Sequence, residues 1–199
     1  MKVLIACEFS GIVRSAFRAR GHDAWSCDLL PAEDNDRHHL QMDANFVLHY
    51  PQRVLGGYPR WMRDREWDLL IAHPPCTHLA VSGARWFKSK QSEQDDALSF
   101  VQALLDAPVP RIALENPISI ISSRIRKPDQ IVHPWMFGHG ETKATCLWLQ
   151  NLPKLIPTQI VDGRVPRVHH EPPGPERWKN RSRTYQGIAN AMAEQWGVL

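Results

Sequence analysis

A chain of 199 residues with 43% hydrophobic content is long enough to bury one α/β domain and too short for two full ones. Its formal charge of +3 is too small to mark a nucleic-acid binder by whole-molecule electrostatics, although Arg164 to Arg183 sets six Lys/Arg against Glu171 and Glu176 and so carries +4. The four cysteines (Cys7, Cys27, Cys76, Cys146) are widely spaced without a CxxC pair, and no run approaches the roughly 18 apolar residues of a membrane span, so a cytoplasmic protein with reduced thiols and no membrane partner is expected.

Lys2-Val3-Leu4-Ile5-Ala6-Cys7 is a continuous apolar run, the pattern of a strand buried on both faces of a parallel sheet. Glu8-Phe9-Ser10-Gly11 breaks it, and Ile12 to Arg20 resumes with apolar residues at helical spacing until Gly21. Asp23 to Leu30 supplies a second strand with an acid, Asp28, about twenty residues after the turn. That is the layout of a nucleoside-binding α/β unit, in which the turn admits the ligand and the acid bonds the ribose. Asp28 reads equally well as a plain turn residue at a strand end.

Pro31 to Asp43 is a polar loop in which Leu40-Gln41-Met42-Asp43 has the composition of a short third strand ending in an acid. His38 and His39 have no further Cys or His at ligand spacing, so no metal is expected. Asn45 to Glu66 reads as part helix and part loop. It leads into Trp67-Asp68-Leu69-Leu70-Ile71-Ala72-His73-Pro74-Pro75-Cys76, an apolar strand stopped by a double proline. Cys76 then sits at a strand's carboxyl edge, where open α/β sheets bind ligands, on a loop whose φ angles proline restricts. A cysteine there is placed to act as a nucleophile.

Thr77 to Lys90 mixes aromatic and basic residues and reads either as a loop covering a substrate or as a connector packed on the domain. Ser92 to Leu105 is an amphipathic helix. Pro110-Arg111-Ile112-Ala113-Leu114-Glu115-Asn116-Pro117 repeats the design of the Cys76 strand, and a glutamate ending a buried strand is costly unless something binds it. Two neighbouring strands would thus present a thiol and a carboxyl to one crevice. A polar stretch with Arg124, Arg126 and Lys127 follows, then Pro134 to Leu149, whose second half alternates like a strand. Pro153 to Lys179 is proline-rich and basic and reads as an irregular excursion; Tyr185 to Trp196 reads as a terminal helix.

Taken in this order, the motifs resemble the cytosine-5 DNA methyltransferase family, particularly its short phage and prophage members. Phe9-Ser10-Gly11 resembles the cofactor turn, Asp28 the ribose acid, Asp43 the acid near the adenine, Pro74-Pro75-Cys76 the catalytic proline-cysteine loop and Glu115-Asn116-Pro117 the glutamate-asparagine motif. Glu141 to Thr145 stands in place of the glutamine-arginine-arginine strand, and Gln186 to Ala191 resembles the helix that closes the cofactor pocket. The resemblance implies a Rossmann-like, mostly parallel sheet with helices on both faces and S-adenosyl-L-methionine as cofactor. The cofactor would be held by Phe9, Ser10, Gly11, Asp28, Asp43, Pro74 and Asn190.

It further implies a cytosine of DNA, flipped from the stack, as substrate. Cys76 would attack C6 as the nucleophile and Glu115 would act at N3 and the exocyclic amine, with burial expected to raise the Glu115 pKa. Asn116, Lys143, Thr145, Arg181 and Arg183 are the expected substrate contacts. The family pattern is broken in four places. Val13 and Arg14 replace glycines, Lys143 and Thr145 replace two arginines, proline replaces the usual valine after Asn116, and the target-recognition domain is missing. With only the basic stretch around 153–180 in its place, a single methyltransferase-like domain is expected to have low sequence specificity, to use a dimer or accessory partner, or to act on a single strand or free pyrimidine nucleotide instead. A non-catalytic binding protein on the same scaffold is the remaining alternative.

Overall fold

The computed structural model describes residues 1–50, 57, 60–64 and 66–199. Much of the expected helix and loop between Asn45 and Glu66 lies outside the described residues. Seven strands form one sheet: β1 (Lys2–Ala6), β2 (Asp23–Asp28), β3 (His39–Gln41), β4 (Leu69–Ala72), β5 (Ile112–Pro117), β6 (Gln130–Val132) and β7 (Thr145–Gln150), in the order β3-β2-β1-β4-β5-β7-β6. The first five are parallel to one another. The chain therefore winds outward from β1 in one direction, returns, and continues from β4 in the other, as in a doubly wound Rossmann-like sheet. The crevice between the carboxyl ends of β1 and β4, where the winding reverses, is the place such a sheet offers to a ligand.

The apolar runs form strands because both faces are covered. Leu4, Ala6, Leu70, Ala72, Ile112 and Leu114 face a cluster with Val47 and Leu48 of α2 (Ala44–His49) and Leu98, Val101 and Leu104 of α4 (Gln91–Leu105). Val3, Ile5, Leu69, Ile71 and Ala113 face the opposite cluster, with Val13 and Phe17 of α1 (Ile12–Ala19) and Ile188, Met192 and Trp196 of α7 (Gln186–Trp196). Period-two alternation assigns successive residues to opposite faces. The other α-helices among the described residues are short: α3 (Arg60–Arg63), α5 (Ile121–Arg124) and α6 (Arg177–Ser182).

Three stretches differ from the sequence expectation. Val81–Ser89, read as a loop or connector, is a 3-10 helix. The polar stretch around Arg124 holds both α5 and β6. Most consequential is β7, which runs antiparallel between β5 and β6, pairing Glu115 with Leu147 and Pro117 with Thr145. Because β7 is reversed, its beginning lies at the carboxyl edge of β5. Residues just before it, Lys143 among them, are delivered to the same edge as Glu115. The segment after β7, expected to be an irregular excursion, holds a 3-10 turn at Arg167–His169 and leads into α6, and isolated bridges from Phe137 to Gln159 and from Glu141 to Val165 join it to the body.

Candidate active site

The strands leading to the thiol and the carboxyl are neighbours paired in register, with Ala72 opposite Leu114, and the charge of Lys143 acts on both groups. His73 follows β4 directly and is fixed to β1 by its amide, which donates to the Ala6 carbonyl at 2.9 Å. Pro74 is buried, Pro75 and Cys76 emerge to the surface, and the amides of Leu79 and Ala80 both return to the Cys76 carbonyl. Cys76 is thus an exposed thiol on a tied-down loop. The other three cysteines, also free, include two that are buried in β2 and β7.

Glu115 lies at the end of β5 with its side chain only 10% exposed. His73 Nδ1 stands 3.3 Å from its Oε2, close enough for an ion pair but off the line of a hydrogen bond, and Oε2 has no hydrogen-bond partner. Burial alone would raise the Glu115 pKa, as the sequence suggested. The outcome is the reverse: the charges of His73 and Lys143, with a smaller contribution from Thr184, hold the carboxyl below its ordinary value. The partner moves the other way. Burial disfavours the imidazolium, but Glu115 and Glu8 outweigh it and lift the His73 pKa.

Lys143 is the expected substrate residue that the fold does bring in. Its Nζ donates to the Arg183 carbonyl at 3.1 Å, and its charge acts on both Glu115 and Cys76. Burial lowers the ammonium pKa, and the two acids partly restore it. Burial likewise raises the Cys76 thiol, with Lys143 and Arg181 pulling in the opposite direction without cancelling it.

Three expected substrate contacts are committed elsewhere. Asn116 is 2% exposed and its Nδ2 donates to the Pro74 carbonyl at 2.9 Å, so it braces the cysteine loop. Thr145 is likewise 2% exposed, since it sits inside β7, and its hydroxyl donates to the Lys143 carbonyl. The Arg183 guanidinium grips Glu33 through Nε at 3.2 Å and Nη2 at 2.6 Å. Arg181 stays half-buried near the thiol.

The turn after β1 supplies the other half of the crevice. Gly11 has φ of 71°, and a Cβ there would lie 2.4 Å from Arg14 Nη2, so glycine is required by both backbone and space. Arg14, standing where a glycine was expected, is fully buried: it donates to Ser26 Oγ at 2.7 Å and forms an ion pair with Asp34. Glu8 is 5% exposed and accepts from the amides of Val13 at 2.6 Å and Arg14 at 3.2 Å, closing the first turn of α1 with a carboxylate. Cys7, Glu8, Phe9, Ser10, His73, Arg183 and Thr184 line a cavity of about 50 Å³.

Asp28 ends β2, accepts from the Leu30 amide at 2.9 Å, and has its pKa raised by burial. Asp43 caps α2 through the Asn45 amide at 2.8 Å. Asn190 is exposed on α7, where it accepts from Gln186, and lines neither that cavity nor the larger one between α7 and Arg167. Glu8 and His73 were missed, yet Glu8 gives the same signal that singled out Glu115: an acid directly after a fully buried strand.

The crevice is kept small by α6. Trp178 packs against Phe9 with ring centres 5.7 Å apart, and the Arg183–Glu33 pair ties the same segment down over the turn. Drug-sized ligands occupy roughly 300–1,000 Å³, so an adenosyl group requires this segment to shift. Backbone amides of the Ser10–Gly11 turn and the acid of β2 fit part of the donor and acceptor set of an amino-acid nucleoside, whereas the first amides of α1 are taken by Glu8 and Ser10.

No family model matches the chain, and no curated protein matches it significantly. Among solved structures, one from E. coli described as a "putative DNA modification methyltransferase encoded within prophage" is similar over 87% of this chain and 55% of its own, with 16% identity and a TM-score of 0.48. The chain spans about half the length of that neighbour. At that score the likeness carries no inference about chemistry. No helix among the described residues is long and apolar enough to cross a membrane.

Proposed function

We propose that the protein transfers a methyl group from S-adenosyl-L-methionine to C5 of cytosine in DNA, through a covalent bond between Cys76 and C6. One observation carries this reading: an exposed thiol on a braced loop and a buried carboxylate lie at the carboxyl ends of paired strands β4 and β5, with the Lys143 ammonium acting on both. Cytosine C5 is too poor a nucleophile to take the methyl group unaided. Addition of the Cys76 thiolate at C6 turns the ring into an enamine that can. Lys143 favours the thiolate, and Glu115 meets N3 and the exocyclic amine, where charge develops. The cofactor, when bound, supplies the electrophilic methyl group. Phe9, Ser10, Gly11 and Asp28 would hold it in the crevice beside Pro74.

Between β7 and α7 the only regular pieces among the described residues are a three-residue 3-10 turn (Arg167–His169) and the six-residue α6, too short to lie along a groove, which favours a second reading: the same chemistry on single-stranded DNA or a free pyrimidine nucleotide. Incubation with methyl-labelled S-adenosylmethionine and duplex DNA, single-stranded DNA or mononucleotides, followed by mass spectrometry of the bases, separates the two. 5-Methylcytosine in duplex DNA supports the first reading. Label on another base, or on none of the substrates, overturns both.

A further inference from the structure

Glu115 poses a chemical difficulty for that reading. The group at N3 must deliver a proton as the thiolate adds, yet the carboxyl is held as an anion by its neighbours. The proton has to come from behind it. His73 is the group behind it, with Nδ1 3.3 Å from Glu115 Oε2. Its Nε2 is buried without a hydrogen-bond partner, although the residue lines the cavity at the end of β1.

We propose that His73 is a positioning residue of the cytosine reaction, storing the proton that Glu115 passes to ring N3. The inference rests on the reading above and deepens it. In the step itself the Cys76 sulfur forms a bond to C6, the C5–C6 π pair moves to C4–C5, and the C4–N3 π pair becomes a lone pair on N3. The Nδ1 proton of His73 passes to Oε2 of the Glu115 carboxylate and from that oxygen on to N3, leaving a neutral imidazole and the carboxylate again an anion. After C5 has taken the methyl group and lost its proton to solvent, the thiolate leaves and the N3 proton returns by the same path. The off-line contact needs only a small rotation to align, as proton-transfer contacts commonly tighten when substrate binds.

The surroundings of His73 suit a stored proton. Glu8 at the end of β1 and Glu115 on β5 are the acids facing it, Lys143 before β7 is the opposing cation, and Cys76 shares its loop. Lys143 is the less suitable source, since it acts on Glu115 by charge without the close contact that His73 Nδ1 makes with Oε2. The double proline after His73 fixes the imidazole and the thiol relative to each other.

Two measurements on the full chain test the proposal. In the first, ¹⁵N NMR follows the His73 ring through its titration in the wild type and in Glu115→Gln. A midpoint that falls in the variant is expected; an unchanged midpoint overturns the coupling, with no dependence on activity. In the second, covalent adduct formation on duplex DNA of mixed sequence containing 5-fluorocytosine is followed against pH with S-adenosylmethionine present. The wild-type rate should show an inflection at the NMR midpoint of His73. His73→Gln should lose that inflection and slow adduct formation about 10- to 100-fold with KM nearly unchanged, and His73→Asn serves if the first variant fails to fold. Persistence of the inflection in either variant overturns the relay while leaving the cytosine reading intact. A wild type that forms no adduct at any pH overturns that reading itself.

Discussion

The Asn116 side-chain amide donates to the Pro74 carbonyl at 2.9 Å, so the motif carrying the carboxylate directly braces the motif carrying the thiol. The two strands are adjacent in the sheet, but their pairing ends at Ala72 and Leu114. Beyond it, this hydrogen bond and the His73–Glu115 contact set the distance between the reacting groups.

Asn116→Ala removes the brace and leaves the Pro74 carbonyl unpaired. A stability loss of about 1–3 kcal/mol is expected, together with a kcat lowered about tenfold or more as the thiol loses its bearing. Chemical denaturation and steady-state methyl transfer check the two effects separately. A kcat equal to the wild type would show that the loop holds its own shape.

Cys76→Ser is expected to abolish methyl transfer while leaving affinity for S-adenosylmethionine nearly unchanged by titration calorimetry, since a hydroxyl is a far weaker nucleophile than a thiolate. Activity equal to the wild type removes the nucleophile assignment.

The His73–Glu115 pair makes stability depend on pH. The His73 pKa is raised above 6.5, so its contribution is complete below pH 6.5 and is lost as pH rises through the folded value. The Glu115 pKa is lowered below 4.5, so its contribution is complete above pH 4.5 and is lost as pH falls through the folded value. The pair is therefore worth most between pH 4.5 and 6.5. Glu115→Gln should cost about 3 kcal/mol in that window and clearly less at alkaline pH, measured by urea unfolding. An equal cost at all pH values contradicts the pairing.

Arg14→Met leaves Ser26 and Asp34 without the guanidinium that ties them to α1, and is expected to cost about 3 kcal/mol. Gly11→Ala should cost about 2 kcal/mol or more, because a left-handed backbone and a Cβ 2.4 Å from Arg14 Nη2 both oppose it. Thermal unfolding measures both. If Gly11→Ala is neutral, the guanidinium is free to move and the turn is not built around it.

Neutralising Arg183 gives a smaller stability effect, below about 1 kcal/mol, since its pair with Glu33 is part-exposed. Its larger effect should be on the crevice. Glu33→Gln, which releases the same tie without touching the proposed substrate residues, should raise the association rate for S-adenosylmethionine several-fold by stopped-flow fluorescence, because ligand entry requires α6 to shift. An unchanged rate would mean that the ligand enters by another side.

Much of this arrangement is legible in the order of the residues. Continuous apolar runs at Lys2 to Cys7, Leu69 to Ala72 and Ile112 to Leu114 determine a parallel sheet covered on both faces, because only such strands lack a polar side. The double proline after β4 and Pro117 as the last residue of β5 mark where those strands stop, and so which residues, Cys76 and Glu115, stand near the edge. What the sequence left open was the company they keep. The reversal of β7 depends on pairing between segments about thirty residues apart, which no local periodicity encodes, and it alone brings Lys143 to Glu115. Burial of Glu115 was legible, but the direction of its pKa was not, since that is decided by whether an imidazole and an ammonium lie closer than solvent. Arg14 shows the same division: the sequence marks it only as standing in place of a glycine, and tertiary structure buries it by placing Ser26 and Asp34 within reach. Chain order determined the strands and their ends; only packing across the sheet edge decided which charges meet there.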